Sequence, residues 1–285
     1  MSFRPTLAAL SKKSSTQWIA RQRRDHYVKQ RASSSYRSRS AFKLLELNGL
    51  LHFLDHDDVK VVLDLGAAPG GWSQVVSQRL GYGSDEDTEP LPSTLPRVRP
   101  KRTHESSRPG SEYDPLNIDN MEEEIARSES KGRGTIVAVD LLPMNPIPGV
   151  RSLQMDFLET KTDDAIIDLL DSSIPGLRRR KMGEALVDVV LSDMAPDFSG
   201  NVLHDTEQSY RICLAVQDFA ARHLRTEKQI GRRLGGVLVL KHFSFEAMNE
   251  FRKEELEPHF SDVQYIKPPS SRSESPESYF VCRGW

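Results

Sequence analysis

Four charged residues follow apolar runs of this sequence: Asp64 after 59–63, Asp140 after 135–139, Asp193 after 185–191 and Lys241 after 237–240. Ligands of open α/β sheets sit beyond the carboxyl ends of the strands, so three carboxylates and one amine at such ends would converge on one crevice. A carboxylate there can grip hydroxyls or orient a neighbour, and an amine in its neutral form can take a proton from a hydroxyl. Taken singly, each is as readily a solvated strand end. Lys241 departs furthest from that bland reading, because Leu238-Val-Leu runs straight into it and a lysine held there is desolvated.

Asp64 also opens the stretch DLGAAPGGW, which leads into a helical pattern over 72–80. A strand that turns through glycines into a helix N-terminus lets backbone N–H groups approach a ligand. The stretch lacks the Gly-Lys-Ser/Thr ending of a phosphate loop and does not match the G-x-G-x-x-G of dinucleotide sites. A different adenosine-bearing ligand is implied, and S-adenosylmethionine suits it: its amino-acid end would bind at the helix N-terminus while Asp140 holds the ribose hydroxyls. In dinucleotide folds that acid falls about 20 residues past the glycines. Here the gap is longer, and segment 82–131, poor in aliphatics and rich in Ser, Pro, Asp and Glu, accounts for it as a solvated insertion.

The elements that must position these groups alternate in type. Strands are predicted at 150–154, 185–191, 237–240, 263–266 and 278–283, and helices near 163–170, 206–224 and 246–257, with a basic loop at 178–181. That alternation predicts an α/β fold with a parallel sheet covered on both faces. A chain of 285 residues with 37% hydrophobic content can bury one sizeable core, so one catalytic domain over 15–285 is expected. Cys213 and Cys282 show no CxxC spacing and no plausible zinc set, and are expected to be reduced core residues, with no metal bound. No apolar run approaches the ~20 residues needed to cross a bilayer, so no membrane span is expected.

Charge is segregated along the chain although its net value is only -2. Residues 1–43 hold 11 Lys/Arg against one acid, Asp25, whereas 82–131 hold 12 acids against 7 bases. The series Arg21, Arg23, Arg24, Lys29, Arg31, Arg37 and Arg39 is spaced to neutralise phosphates, with Trp18 and Tyr27 available for stacking, so 15–43 is expected to contact RNA. Residues 1–14, with Arg4, Lys12, Lys13, several Ser/Thr and no acid, have the composition of a mitochondrial targeting segment. A solvated tail without a role is the competing reading of both stretches.

Five blocks in order, DLGAAPGGWSQVVSQ, AVDLLPMNPIPGV, LQMDF, LSDMAPDFSG and LVLKHF, resemble the FtsJ (RrmJ) ribosomal RNA 2′-O-methyltransferases. YRSRSAFK before the loop and KPPSSRSESPESY near the end extend the likeness, and STQWIARQRRDHY at 15–27 resembles the mitochondrial branch of that family. The resemblance implies a Rossmann-like, S-adenosylmethionine-dependent methyltransferase fold with a seven-stranded, mostly parallel sheet. It implies a catalytic set of Lys43, Asp193, Lys241 and Glu277, with Lys241 the base and Asp193 its orienting partner, while Lys43 and Glu277 position the ribose. Glu277 is preferred to Glu274 because it immediately precedes the last strand. Gly70, Trp72, Asp140, Asp156 and Asp193 are implied to bind the cofactor, although Trp72 is equally a core residue at a helix start and Asp156 equally a helix cap. The implied activity is methylation of a uridine ribose in mitochondrial large-subunit ribosomal RNA, by a monomer acting on the large subunit or its precursor in the matrix. A transfer RNA ribose methyltransferase, where the loop commonly carries Gly-Ser-Trp, and an assembly factor acting by RNA binding remain alternatives. An NAD-dependent oxidoreductase fits the glycine spacing worst.

Overall fold

The computed structural model describes residues 36–82, 132–173 and 185–285. The segment 1–14 expected to be a targeting sequence, the basic residues before Tyr36, nearly all of the acidic stretch 82–131 and the loop at 178–181 lie outside the described residues. In chain order the elements are α1 (Ser40–Leu51), β1 (Val61–Leu65), α2 (Gly71–Arg79), β2 (Thr135–Asp140), β3 (Val150–Gln154), α3 (Thr160–Ser173) and β4 (Val189–Ser192). There follow α4 (Val202–His223), α5 (Glu227–Ile230), β5 (Val237–Phe243), α6 (Ala247–Phe251), β6 (Asp262–Ile266) and β7 (Glu277–Arg283). A π-helical turn, Arg252–Leu256, continues α6.

The strands form a seven-stranded sheet in the order β3-β2-β1-β4-β5-β7-β6. β1 to β5 pair in parallel, and β7 runs antiparallel to both β5 and β6. The α/β alternation is thus what the sequence pattern predicted, and the seven-stranded, mostly parallel sheet is what the family resemblance implied. β1, β4 and β5 are buried along their whole length, as their unbroken Val/Leu runs require when helices cover both faces, while the exposed positions of β3 and β6 mark them as edges.

Two apolar layers fill the space on either side. One gathers Leu44 and Leu47 of α1, Trp72, Val75 and Val76 of α2, and Val62, Val189, Val239 and Tyr279 of the sheet. The other gathers Ile166 of α3, Val216 and Phe219 of α4 and Phe251 of α6 against Leu63, Val190, Leu240 and Phe280. Among the described residues no helix is long and apolar enough to cross a membrane.

Several strand boundaries differ from the expected ones, most of all in β4, β1 and β5. The strand predicted at 185–191 begins at Val189, because Leu186 and Val187 donate instead to the carbonyl of His223 at the end of α4. The carboxylate of Asp188 accepts the N–H groups of Lys60 and Val61 and a guanidinium N–H of Arg225, which fixes the start of two parallel strands. β1 and β5 run past the polar residues expected to end them. Asp64 lies within β1 and Lys241 within β5, whose ladder with β7 continues through Lys241–Tyr279 to Phe243–Glu277.

Candidate active site

Lys241 and Asp193 lie side by side. The Lys241 amine lies 3.1 Å from Asp193 Oδ1 and donates to the Asp193 main-chain carbonyl, with its side chain 9% exposed. Asp193 follows β4 directly, and its N–H donates to the carbonyl of Leu65, so its place is set by the neighbouring strand end. Tyr279 lies opposite Lys241 in the β5–β7 ladder, and its hydroxyl donates to the same Asp193 Oδ1 at 2.7 Å. Burial pushes the Asp193 carboxyl up, but Lys241, Lys43 and the Tyr279 hydroxyl together outweigh it and hold the group below the usual carboxylate range. The Tyr279 phenol is driven well above its ordinary value by burial, helped by the charges of Asp193 and Glu277.

A second pair adjoins the first. Lys43 lies on the buried face of α1, and its amine meets Glu277 Oε1 at 2.8 Å, with both side chains nearly buried. The Lys43 amine also stands 5.8 Å from the centre of the Tyr279 ring, on whose face a cation is attracted. Tyr279 therefore bridges the two ion pairs. Glu277 is presented by the 267–276 loop, which is fastened at several points. The carboxylate of Glu46, one turn after Lys43 on α1, accepts the N–H and hydroxyl of Ser270, and Arg39 donates to the Ser270 carbonyl. The Lys267 amine donates to the carbonyls of Ser273 and Ser275. Glu274 is exposed on this loop, hydrogen bonded to Ser273.

The glycine loop begins beside Asp193, whose N–H meets the Leu65 carbonyl. Asp64 is fully buried; its Oδ2 accepts the Ser73 hydroxyl at 2.6 Å, and the Ser73 N–H bonds to the same carboxylate, tying the first turn of α2 to β1. Oδ1 of Asp64 is buried without a hydrogen-bond partner. Burial, reinforced by the charges of Asp193 and Asp140 and opposed by Ser73, pushes the Asp64 carboxyl up to about 7. Asp140 ends β2, and its two oxygens accept the N–H groups of Ala68 and Leu142, each at 2.8 Å, so it anchors the loop.

Gly70 has φ of 108° and caps α2. A Cβ at Gly70 would sit 2.7 Å from Ile147, and one at Gly71 would sit 2.0 Å from the Ser38 hydroxyl oxygen. These two glycines let the protein's own 37–40 segment and Ile147 pack against the loop. The Trp72 side chain is 2% exposed; its indole N–H donates to the Ser40 carbonyl and its ring lies 5.7 Å from that of Tyr279. Asp156 stands two residues past the end of β3, next to Met155, whose N–H donates to the Asp140 carbonyl, and it accepts the Leu158 N–H just before α3.

Lys43, Asp193, Lys241 and Glu277 are thus brought together, with Asp140 and Gly70 at the glycine loop and Asp156 past the end of β3, the strand paired with the one that Asp140 ends. Arg37 and Arg39, the described members of the basic series, have their guanidinium groups on main-chain carbonyls, Arg37 on Asn145 and Pro146. Tyr279, Ser73 and Glu46 were not singled out from the sequence. Tyr279 was within reach, because it stands two residues after Glu277 and a strand returns a side chain to the same face at that interval.

The sequence matches the FtsJ-like methyltransferase family over residues 36–108 and 123–285. A protein of Azoarcus sp. (strain BH72) named ribosomal RNA large subunit methyltransferase E is 34% identical over 269 residues, spanning 94% of this chain and 96% of the relative. A protein of Rhodopseudomonas palustris (strain HaA2) with the same name is 31% identical over 278 residues, spanning 96% and 86%. A crystal structure described as a ribosomal RNA methyltransferase from Plasmodium falciparum superposes with a TM-score of 0.55 at 23% identity, covering 88% of this chain and 98% of that one, a likeness of fold.

Proposed function

The chain belongs to the FtsJ-like methyltransferase family, and we propose that it methylates the 2′-hydroxyl of a uridine in mitochondrial large-subunit ribosomal RNA, using S-adenosylmethionine. The single observation that carries the chemistry is the pairing of Lys241 with Asp193 beside the glycine loop, joined through Tyr279 to Lys43 and Glu277. The RNA class comes from the names of the relatives, and the mitochondrial matrix from the composition of residues 1–14 and the branch likeness of 15–27.

The residues present fit the cofactor. Asp64, Asp140 and Asp193 lie close enough for the last two to raise the first, and Asp64 Oδ1 is a buried acceptor with no partner. Negative charge concentrated in this way suits a ligand that carries an ammonium and a sulfonium. Asp140 would hold the ribose, Asp156 the adenine, and the α2 N-terminus with Asp193 the amino-acid end; Gly70 and Trp72 would shape that N-terminus. When bound, the cofactor supplies an electrophilic methyl group on a positively charged sulfur.

The 2′-hydroxyl must lose its proton as its oxygen attacks. A neutral amine has two N–H groups and one lone pair. In the neutral form of Lys241, the form that must be present for the reaction, both N–H groups could be taken by Asp193, one by its carboxylate and one by its carbonyl, which would leave the lone pair to accept the hydroxyl proton. Tyr279 fixes the carboxylate from the other side, so the amine is aimed by groups that are themselves held. The Lys43–Glu277 pair offers a donor and an acceptor to the remaining ribose oxygens and fixes the sugar. Much of the acceleration then comes from holding the hydroxyl in line, a contribution of about 7–11 kcal/mol in well-oriented systems.

Ribose methylation mapped in RNA from cells with and without the protein tests this reading, repeated with Lys241→Ala. One 2′-O-methyluridine in mitochondrial large-subunit RNA should disappear without the protein. It should stay absent with the variant, which keeps cofactor affinity by titration calorimetry while transfer falls about 10²–10⁴-fold. Full methylation by Lys241→Ala would overturn the assignment of the base.

A further inference from the structure

Between Asp193 and α4 the chain carries an exposed aromatic ring beside the candidate base. Phe198 is 53% exposed and packs edge-on against Phe243, with ring centres 4.7 Å apart and planes at 87°. Phe243 is two residues after Lys241 on β5, and the Lys241 amine stands 6.0 Å from the centre of its ring. Phe243 itself is 6% exposed and has little face to offer. Phe198 is the ring that continues this stack outward.

The ring is held by a built loop. The Asp205 carboxylate accepts the N–H and hydroxyl of Ser199 on Oδ1, both at 2.8 Å, and the N–H of Gly200 on Oδ2 at 3.1 Å. Asn201 caps α4 by accepting the N–H groups of Leu203 and His204. Val202 and Leu203, 67% and 83% exposed, follow directly. An exposed phenylalanine alone is ordinary on a protein surface. One on a loop pinned by three hydrogen bonds, one ring away from the candidate base, is not explained by core packing.

We infer that Phe198 is the platform on which the base of the target nucleotide stacks while its 2′-hydroxyl reaches Lys241. The inference rests on the ribose-methylation reading above and adds to it how the nucleotide is held. In a ribonucleotide the base is attached one carbon away from the 2′-hydroxyl, so a hydroxyl at the Lys241 amine places its base within a ring or two of that amine. That is the distance range in which Phe243 and then Phe198 lie. The base must leave any duplex to reach this position, since an aromatic side chain stacks on an unpaired base's open face. Stacking selects for unpaired RNA and a planar base and does not by itself tell one base from another.

The test uses the full chain, the large-subunit RNA transcript, and a fragment carrying an abasic ribose at the position that the wild-type protein methylates. Phe198→Ala should lower single-turnover transfer about 10- to 100-fold, the loss typical of one base-aromatic stack. Phe198→Trp should restore it, and cofactor affinity should not change. Removing the base should slow the wild-type protein by a similar factor and slow Phe198→Ala little further, because the two changes delete the same contact. Penalties that multiply, or a Phe198→Ala protein as fast as wild type, would overturn the stacking assignment while leaving the methyltransferase reading intact. A loss seen only on assembled particles and not on the transcript would assign Phe198 to a protein contact instead. No transfer by the wild-type protein to transcript or particle would refute both readings.

Discussion

Asp64→Asn should remove a pH dependence of stability that the buried site imposes. Asp64 is fully buried and its carboxyl is pushed up to about 7, against 3.8 when unfolded, by burial first and then by Asp193 and Asp140. For a carboxyl raised on folding the sign is the reverse of the usual one: the protonated form favours the fold, so stability is full below about pH 4 and falls as pH rises to about 7. A shift of about three units corresponds to about 4 kcal/mol in total, of which about 3 kcal/mol falls between pH 5 and 8. For a domain of this size that is a drop of about 6–12 °C in Tm. In Asp64→Asn the amide oxygen can still accept from Ser73 and the amide NH2 takes the place of the partnerless Oδ1.

The assay is thermal unfolding of the cofactor-free proteins from pH 5 to 8, read as the difference between wild type and variant at each pH. The difference is needed because other groups titrate in the same range. Burial lowers the His242 imidazole to about 4, so its contribution is present above about pH 6.5 and is lost as pH falls toward 4, in both proteins alike. The variant should gain on wild type steadily as pH rises and the gap should level off above about pH 7.5. Two parallel curves would refute the argument, because they would mean that Asp64 changes its protonation no differently in the folded and unfolded chain.

Glu277→Gln should strand the nearly buried Lys43 ammonium and lower stability by about 3 kcal/mol, with transfer slowed and cofactor affinity kept; an unchanged Tm would show that the pair is effectively solvated. Gly71→Ala should cost about 1–3 kcal/mol because its Cβ would meet the Ser38 hydroxyl oxygen at 2.0 Å, and Ser38→Gly should restore most of that loss in a double-variant melt.

The alternation from β1 onward was legible because each central strand is a short Val/Leu run and the longer helices are stretches between them, whereas α1, which brings Lys43, and the short α5 were not among the predicted helices. The seven-stranded order came from the family resemblance and not from the pattern, since pairing between distant strands leaves no local trace. Strand ends were misjudged where a tertiary contact overrides local composition. Asp188 looks like any surface acid, yet it collects Lys60, Val61 and Arg225 and so ends a strand that the run 185–191 would otherwise extend. The glycines also serve packing that the sequence did not reveal, since Ile147, Arg37 and Ser38 lie where a Cβ at Gly70 or Gly71 would point. Nothing in DLGAAPGG tells which segment will lie against it. The fastening of the 267–276 loop by Glu46, Arg39 and Lys267 was equally hidden, for a Ser-rich loop gives no sign of its partners.

What gathers the site is the parity of the strands, and this could have been read more fully. Successive strand residues face opposite sides. Val62, Ile136, Val189 and Val239 all pack in the layer formed with α1 and α2. Asp64, Asp140, Asp193 and Lys241 each lie an even number of residues further along, so all four are placed on that same side, the side from which α1 brings Lys43. Leu63, Val190 and Leu240, of the other parity, go to the opposite layer, and with them goes His242, stacked on Phe280. The antiparallel strand completes the set by a different rule. Its beginning, not its end, lies at the carboxyl ends of the parallel strands, so Glu277 pairs with Phe243 and Tyr279 with Lys241. A search confined to residues that follow apolar runs would overlook Glu277 and Tyr279, which stand at the start of one.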